Sequence, residues 1–207
     1  NLDLGETEKS AKWVDFDAAY QFGSMGFASG EGDISAYMFA GESGIFLFPQ
    51  RKLFTALGFH LLSGEDLYFP PGAVKGTIVN PQEITYFYDH YSSKHRLFGE
   101  MDYFYGEFSE RALGIRDVYF RWGCGIIESL NCKFDLHYFT VDKPFVSVKD
   151  GSDANFLGVE LDSKFYYKAR AGLVFELGMD FFLPSEDWKG AGADLGNFIY
   201  LAMNANI

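Results

Sequence analysis

The sequence predicts an all-β fold, an antiparallel transmembrane β-barrel with about eight strands in this chain, and three observations carry that prediction. Large β-forming side chains dominate: aromatics make up 19% of the 207 residues, with 23 Phe and 13 Tyr, and such side chains suit a pleated surface. Gly is as abundant as Phe at 23 while Pro is held to 6, a balance that supplies bends without breaking strand ladders. Apolar and polar residues alternate with period 2 through most of the chain, the mark of strands that meet a different environment on each face. No run of about 18 apolar residues exists, which excludes a transmembrane helix, whereas a barrel strand needs only about 9–11 alternating residues.

Taken in order, the first strand, 12–23, sets Val14, Phe16, Ala18, Tyr20 and Phe22 against Asp15, Asp17 and Gln21. The second, 33–48, carries Tyr37, Phe39, Ile45 and Leu47 on one side and Glu42 on the other. In 52–62, Leu53, Leu57, Phe59 and Leu61 oppose Lys52 and His60. Residues 115–127 set Val118, Phe120 and Trp122 against Asp117, Tyr119 and Arg121, and 131–142 set Phe134, Leu136 and Tyr138 against Lys133, Asp135 and His137. In 156–168, Leu157, Val159, Leu161, Phe165 and Tyr167 oppose Glu160, Asp162 and Lys164. In 172–183, Leu173, Phe175, Leu177, Met179 and Phe181 oppose Glu176 and Asp180. The last strand, 197–207, sets Ile199, Leu201, Met203 and Ile207 against Tyr200, Asn204 and Asn206.

The connections fall into two classes. Short ones are Pro49-Gln50-Arg51, the stretch around Glu128-Ser129, and Ala169-Arg170-Ala171; longer polar ones are 24–32, 143–155 and 184–196. One, 63–114, is far longer. Alternation of tight turns with long loops is the connection pattern of an outer-membrane barrel. Reading 96–105 as a ninth strand would put the earlier long loops on the side of the short turns, so 63–114 is assigned to one external or pore-entering excursion within a single barrel segment, 1–207. Loops of that length are usually functional or mobile.

Alternation alone does not say which face is inside. A soluble sandwich or lipocalin-like barrel is apolar within, and a membrane barrel is apolar without. The apolar faces here are built from bulky Leu, Phe, Tyr and Trp rather than the mixed sizes that fill a small barrel. The polar faces carry both signs of charge, and aromatics gather near strand ends, at Trp13, Phe48, Phe181-Phe182 and Tyr166-Tyr167, where interfacial girdles sit. A lipid bilayer, that of the bacterial outer membrane, is therefore the expected partner. The net charge of −12 argues against nucleic acid, whose affinity comes chiefly from Lys and Arg on phosphates. No cofactor is expected.

A series of short segments adds to this reading. Leu62-Ser63-Gly64-Glu65-Asp66 is followed by His95-Arg96-Leu97-Phe98-Gly99-Glu100-Met101-Asp102-Tyr103-Phe104 and by Gly114-Ile115-Arg116-Asp117-Val118-Tyr119. Phe134-Asp135-Leu136-His137-Tyr138-Phe139 and Leu157-Gly158-Val159-Glu160-Leu161-Asp162 come next. In this order and spacing they resemble the C-terminal half of alginate-export-like outer-membrane porins, over about residue 12 to the end. The resemblance implies a single-chain barrel of about twice this strand number, 16–18, of which an N-terminal half would lie outside this chain. It also implies a porin-like channel passing or exporting polar solutes: sugars, oligosaccharides or small cations. A structural or docking barrel in an assembly with other envelope proteins is the alternative. The exporter's lumen is basic, but the inward acids here (Asp15, Asp17, Glu42, Asp117, Asp135, Glu160, Asp162, Glu176, Asp180) outnumber Lys52, Arg121, Lys133 and Lys164. Such a lumen disfavours polyanions such as alginate.

These charges, with His60 and His137, are the candidate pore lining; cross-strand pairing that only holds a hydrated wall together is the plainer role for each. Met101, Asp102, Tyr103 and Phe104 are the candidate loop constriction, in a loop whose Tyr86, Phe87, Tyr88, Tyr91 and Tyr105 either stack on sugar rings or pack on themselves. His60 and His137 lie on different strands without metal-ligand spacing. Cys124 and Cys132 are equidistant from the turn at 128 on the apolar face, so either a cross-strand disulfide or two free thiols is expected there. No catalytic motif stands out; a barrel-embedded hydrolase would need a Ser within hydrogen-bonding reach of one of the His, and an enzyme is not expected.

Overall fold

The computed structural model describes residues 11–27, 30–48, 51–68, 77–78, 83–87, 98–101 and 112–205. The chain is all-β, with long strands β1 (Lys12–Phe27), β2 (Gly30–Phe48) and β3 (Leu53–Leu62), followed after the excursion by β7 (Ile115–Ile127) and β8 (Leu130–Val146). β9 (Asp153–Arg170), β10 (Leu173–Pro184) and β11 (Gly196–Ala205) complete the series. Among the described residues of the excursion are three two-residue strands, β4 (Leu67–Tyr68), β5 (Thr77–Ile78) and β6 (Glu83–Ile84).

The long strands form an antiparallel meander in the order β1-β2-β3-β7-β8-β9-β10-β11, and this sheet is not closed. β3 pairs directly with β7, from Phe54↔Gly123 to Leu61↔Arg116, so the excursion is inserted between neighbouring strands. β6 adds a short parallel contact to β2, making nine strands in the sheet, while β4 and β5 pair apart from it. The long strands coincide with the eight read from period 2. Two expected loops are corrected: β1 and β2 run on through most of 24–32, and β8 and β9 leave only 147–152 of the expected 143–155. The connection 184–196 holds a short helix, α1 (Glu186–Lys189), whose N-cap Ser185 accepts from the Trp188 N–H at 3.2 Å and whose first turn is acidic, as capping and the helix dipole favour.

The two faces of the sheet are sharply different, and the polarity is the reverse of a soluble core. Phe22, Leu201 and Leu57 are 80%, 74% and 60% exposed, with Val14, Ile199 and Phe120 on the same apolar face. The opposite face buries Asp117, Glu160 and Asp180 completely. Charges leave water only when paired and hydrogen-bonded, so the buried face must be a network. It is also tightly fitted. Gly58 lies opposite Tyr119, and Gly178 opposite Tyr200; a Cβ at Gly58 would fall 2.2 Å from Tyr119 Cζ. Each ring lies over a glycine of the adjacent strand, a device that covers glycine in sheets.

Towards the end bearing the long connections, the polar face gives way to a small apolar core of Leu113, Ile115, Phe139, Val141, Phe145, Leu157 and Phe182, with Phe98, Met101 and Trp188 against it. The charged belt therefore lies between this core and the tight turns.

Candidate functional site

The belt is assembled by cross-strand register. Asp117 on β7 lies opposite His60 on β3 and accepts from both flanking imidazoles: His60 Nδ1 at 3.1 Å, and His137 Nδ1 at 2.9 Å. His137 Nε2 is 3.4 Å from Asp162 on β9. The Tyr119 ring is seated between the imidazoles, its centroid 5.2 Å from His60 and 5.3 Å from His137. A fully buried carboxylate thus receives two charge-assisted hydrogen bonds, the arrangement that makes burial of charge tolerable.

Nearer the tight turns, Arg121 grips Asp135 through two nitrogens, Nε at 2.8 Å and Nη2 at 3.2 Å, and also pairs with Glu42 two strands away. Glu42 accepts from Tyr119 Oη at 3.0 Å and Trp13 Nε1 at 2.8 Å, and Lys133 holds Asp135 at 2.8 Å. Planar bidentate geometry is what selects Arg over Lys at such a junction.

The third part lies on β9 and β10. Asp135, Asp162 and Asp180 stand in one cross-strand row, and Lys133 stands opposite Lys164. Like charges directly opposite are destabilising unless compensated. Arg121 and Lys133 compensate Asp135; Lys164 is held by Glu100 at 2.6 Å and lies 4.0 Å from Glu176, which accepts from Tyr200 Oη at 2.6 Å.

Glu100 belongs to the excursion, whose residues 98–101 lie on the polar face as a strap. The Glu100 N–H donates to Glu160 Oε1 at 2.9 Å and Asp162 Oδ2 at 3.1 Å, and the Met101 N–H to Glu160 Oε1 at 3.1 Å. Gly99, at φ +80, presses against Glu160 so closely that a Cβ would fall 2.2 Å from its carboxylate. The Phe98 ring meets His60 edge-on at 5.8 Å.

Of the residues read as lining, Glu42, His60, Asp117, Arg121, Lys133, Asp135, His137, Glu160, Asp162, Lys164, Glu176 and Asp180 all lie on this face. Asp15 and Asp17 are in its register but exposed on β1, the edge strand. Lys52 is a correction: it sits in the tight turn before β3 with φ 50, not on a strand face. His60 and His137, on different strands, are joined through Asp117. Met101 meets the polar face through its N–H; Asp102, Tyr103 and Phe104 lie outside the described residues, as do Tyr88, Tyr91 and Tyr105. Phe87 packs with Ala36 and Leu62. Cys124 and Cys132 are cross-strand partners with sulfurs 3.2 Å apart as free thiols. Glu100 was missed, since nothing in its local pattern marks it as a partner of Lys164.

Among the described residues, the hydrogen-bond partners of both imidazoles are carboxylates, and no group of three His, Cys, Asp or Glu is placed to hold a metal ion. No protein-family model, curated protein or solved structure matches the chain.

Proposed function

We propose that this chain forms part of a bacterial outer-membrane β-barrel that passes polar solutes, such as sugars, oligosaccharides or small cations. The observation that carries the reading is the reversed polarity of the sheet: bulky apolar side chains exposed on one face and buried charges on the other. Exposed apolar surface on this scale marks an interaction site, and a continuous apolar sheet face with period-2 alternation fits lipid. The excursion 63–114 and the connection 185–195 at one end of the meander, with tight turns between β2 and β3, β7 and β8, and β9 and β10 at the other, fit the same assignment. Among the described residues β1 and β11 each pair on one side only, which fits a barrel completed by further strands, as does the resemblance to alginate-export-like porins. Acid excess on the polar face, from Glu42 to Asp180, favours neutral or cationic solutes over polyanions.

Reconstitution of the full-length protein in planar bilayers tests this. Stepwise conductance with preference for cations is expected; silence at every voltage would remove the pore reading. A second reading, a docking barrel of an envelope complex, draws on the strap of 98–101 seated on the polar face. A silent protein that co-purifies with stoichiometric envelope partners would favour it.

A further inference from the structure

The strap leaves the acidic row beneath it incompletely satisfied. Glu160 Oε2, Asp162 Oδ1 and Asp180 Oδ2 are buried without a hydrogen-bond partner among the described residues. Glu160 and Asp180 are fully buried, and Asp162 is nearly so. The strap offers two neutral backbone N–H groups, Glu100 and Met101, to Glu160 and Asp162 and none to Asp180, while the Glu100 carboxylate goes to Lys164. Beyond the His137 imidazole, 3.4 Å from Asp162, and the Ser163 N–H on Asp180, these three buried side chains meet only neutral donors and keep spare acceptors, and such groups persist in native structures for a reason. An ammonium group brings three donors and a positive charge.

We propose that Glu160, Asp162 and Asp180 form a subsite for the primary ammonium group of a small zwitterionic solute, whose carboxylate replaces that of Glu100 on Lys164. Glu100 is the internal occupant of the same subsite. Its main-chain nitrogen lies on Glu160 and Asp162, its side-chain carboxylate lies on Lys164, and three carbons separate the two groups. γ-Aminobutyrate has that skeleton, with an ammonium where the strap has an amide. Binding exchanges one occupant for the other, so the strap acts as a competitor the solute must displace. This rests on the reading of the polar face as a solute-accessible lumen.

The test is calorimetric titration of the full-length protein in detergent micelles at neutral pH, with γ-aminobutyrate, n-butylammonium and butyrate as separate probes. γ-Aminobutyrate should bind more tightly than either half-molecule. Glu100→Gln removes the competing carboxylate and should tighten γ-aminobutyrate binding about tenfold, one charge-assisted contact. Lys164→Met should bring γ-aminobutyrate down to the level of n-butylammonium, and Glu160→Gln/Asp162→Asn should abolish binding. Weaker or absent binding by Glu100→Gln overturns the proposal, and so does equal binding of butyrate. The Glu100→Gln result is a gain, so it does not depend on variants that fail to fold. Conductance without γ-aminobutyrate binding would remove the subsite alone; binding without conductance would remove the pore reading alone.

Discussion

Replacing Asp117 by Asn keeps the shape of the side chain and removes the charge that two imidazoles share. The carboxylate is fully buried, with His60 at 3.1 Å and His137 at 2.9 Å. Hydrogen bonds to a charged group are each worth about 1.5–3 kcal/mol. The two here are coupled through one carboxylate, and breaking a buried pair from one side costs about 3–5 kcal/mol. Asp117→Asn should therefore destabilise by about that amount, roughly two to three and a half orders of magnitude in the folded-to-unfolded ratio at about 1.4 kcal/mol per tenfold. Reversible urea unfolding in micelles, followed by tryptophan fluorescence, measures it. Asp117→Asn/His137→Gln should cost less than the sum of the single changes, because each removes the same contact. A cost below about 1 kcal/mol for Asp117→Asn, or strict additivity, would refute the view that this carboxylate organises the belt.

Gly58→Ala should destabilise by about 1–3 kcal/mol, as overpacking does, because Tyr119 sits between two imidazoles and is tied to Glu42; urea unfolding should recover part of that loss when Tyr119→Ala is added. Mild oxidation should join Cys124 to Cys132, visible as loss of two hydrogens in intact mass and absent in Cys124→Ser; reduced mass after oxidation would contradict the register Cys124↔Cys132. Outside the sheet, Lys149 holds the Glu186 carboxyl below its ordinary 4.5 through a 2.8 Å pair. The contact between 147–152 and α1 should accordingly be intact above about pH 4.5 and be lost as pH falls through the lowered value. NMR titration of Glu186 should show the low midpoint, and Lys149→Ala should return it to the ordinary one.

The sheet was legible because an apolar face and a polar face impose period 2 on each long strand. Where that contrast stops, so did legibility. Residues 24–27 and 30–32 continue β1 and β2 as a ladder, but the positions that continue the apolar face are Ser24, Gly26 and Glu31, so the alternation that betrays a strand is lost. Lys52 shares the parity of His60 and so was read as lining, yet the chain is still turning at that point. The individual members of the belt were legible as polar-face residues; their connections were not. The union of His60 with Asp117 depends on β3 pairing with β7 across the long excursion, and no local pattern encodes that register. The strap was legible only in outline: Met101 was expected within the barrel, whereas Glu100 makes the ion pair and both make the backbone contacts.

On the proposed function, the two faces of one sheet meet two solvents. Spin labels placed one at a time along β7 and β8, on a background with both cysteines replaced by serine, test it directly in reconstituted membranes. Labels at Val118, Phe120, Leu136 and Tyr138 should be reached by oxygen dissolved in lipid. Labels at Arg121, Lys133 and Asp135 should be reached by a water-soluble nickel chelate or by neither agent, giving period-2 alternation out of phase between the two probes. Equal access of the nickel chelate to Phe120 and Leu136 would contradict the account.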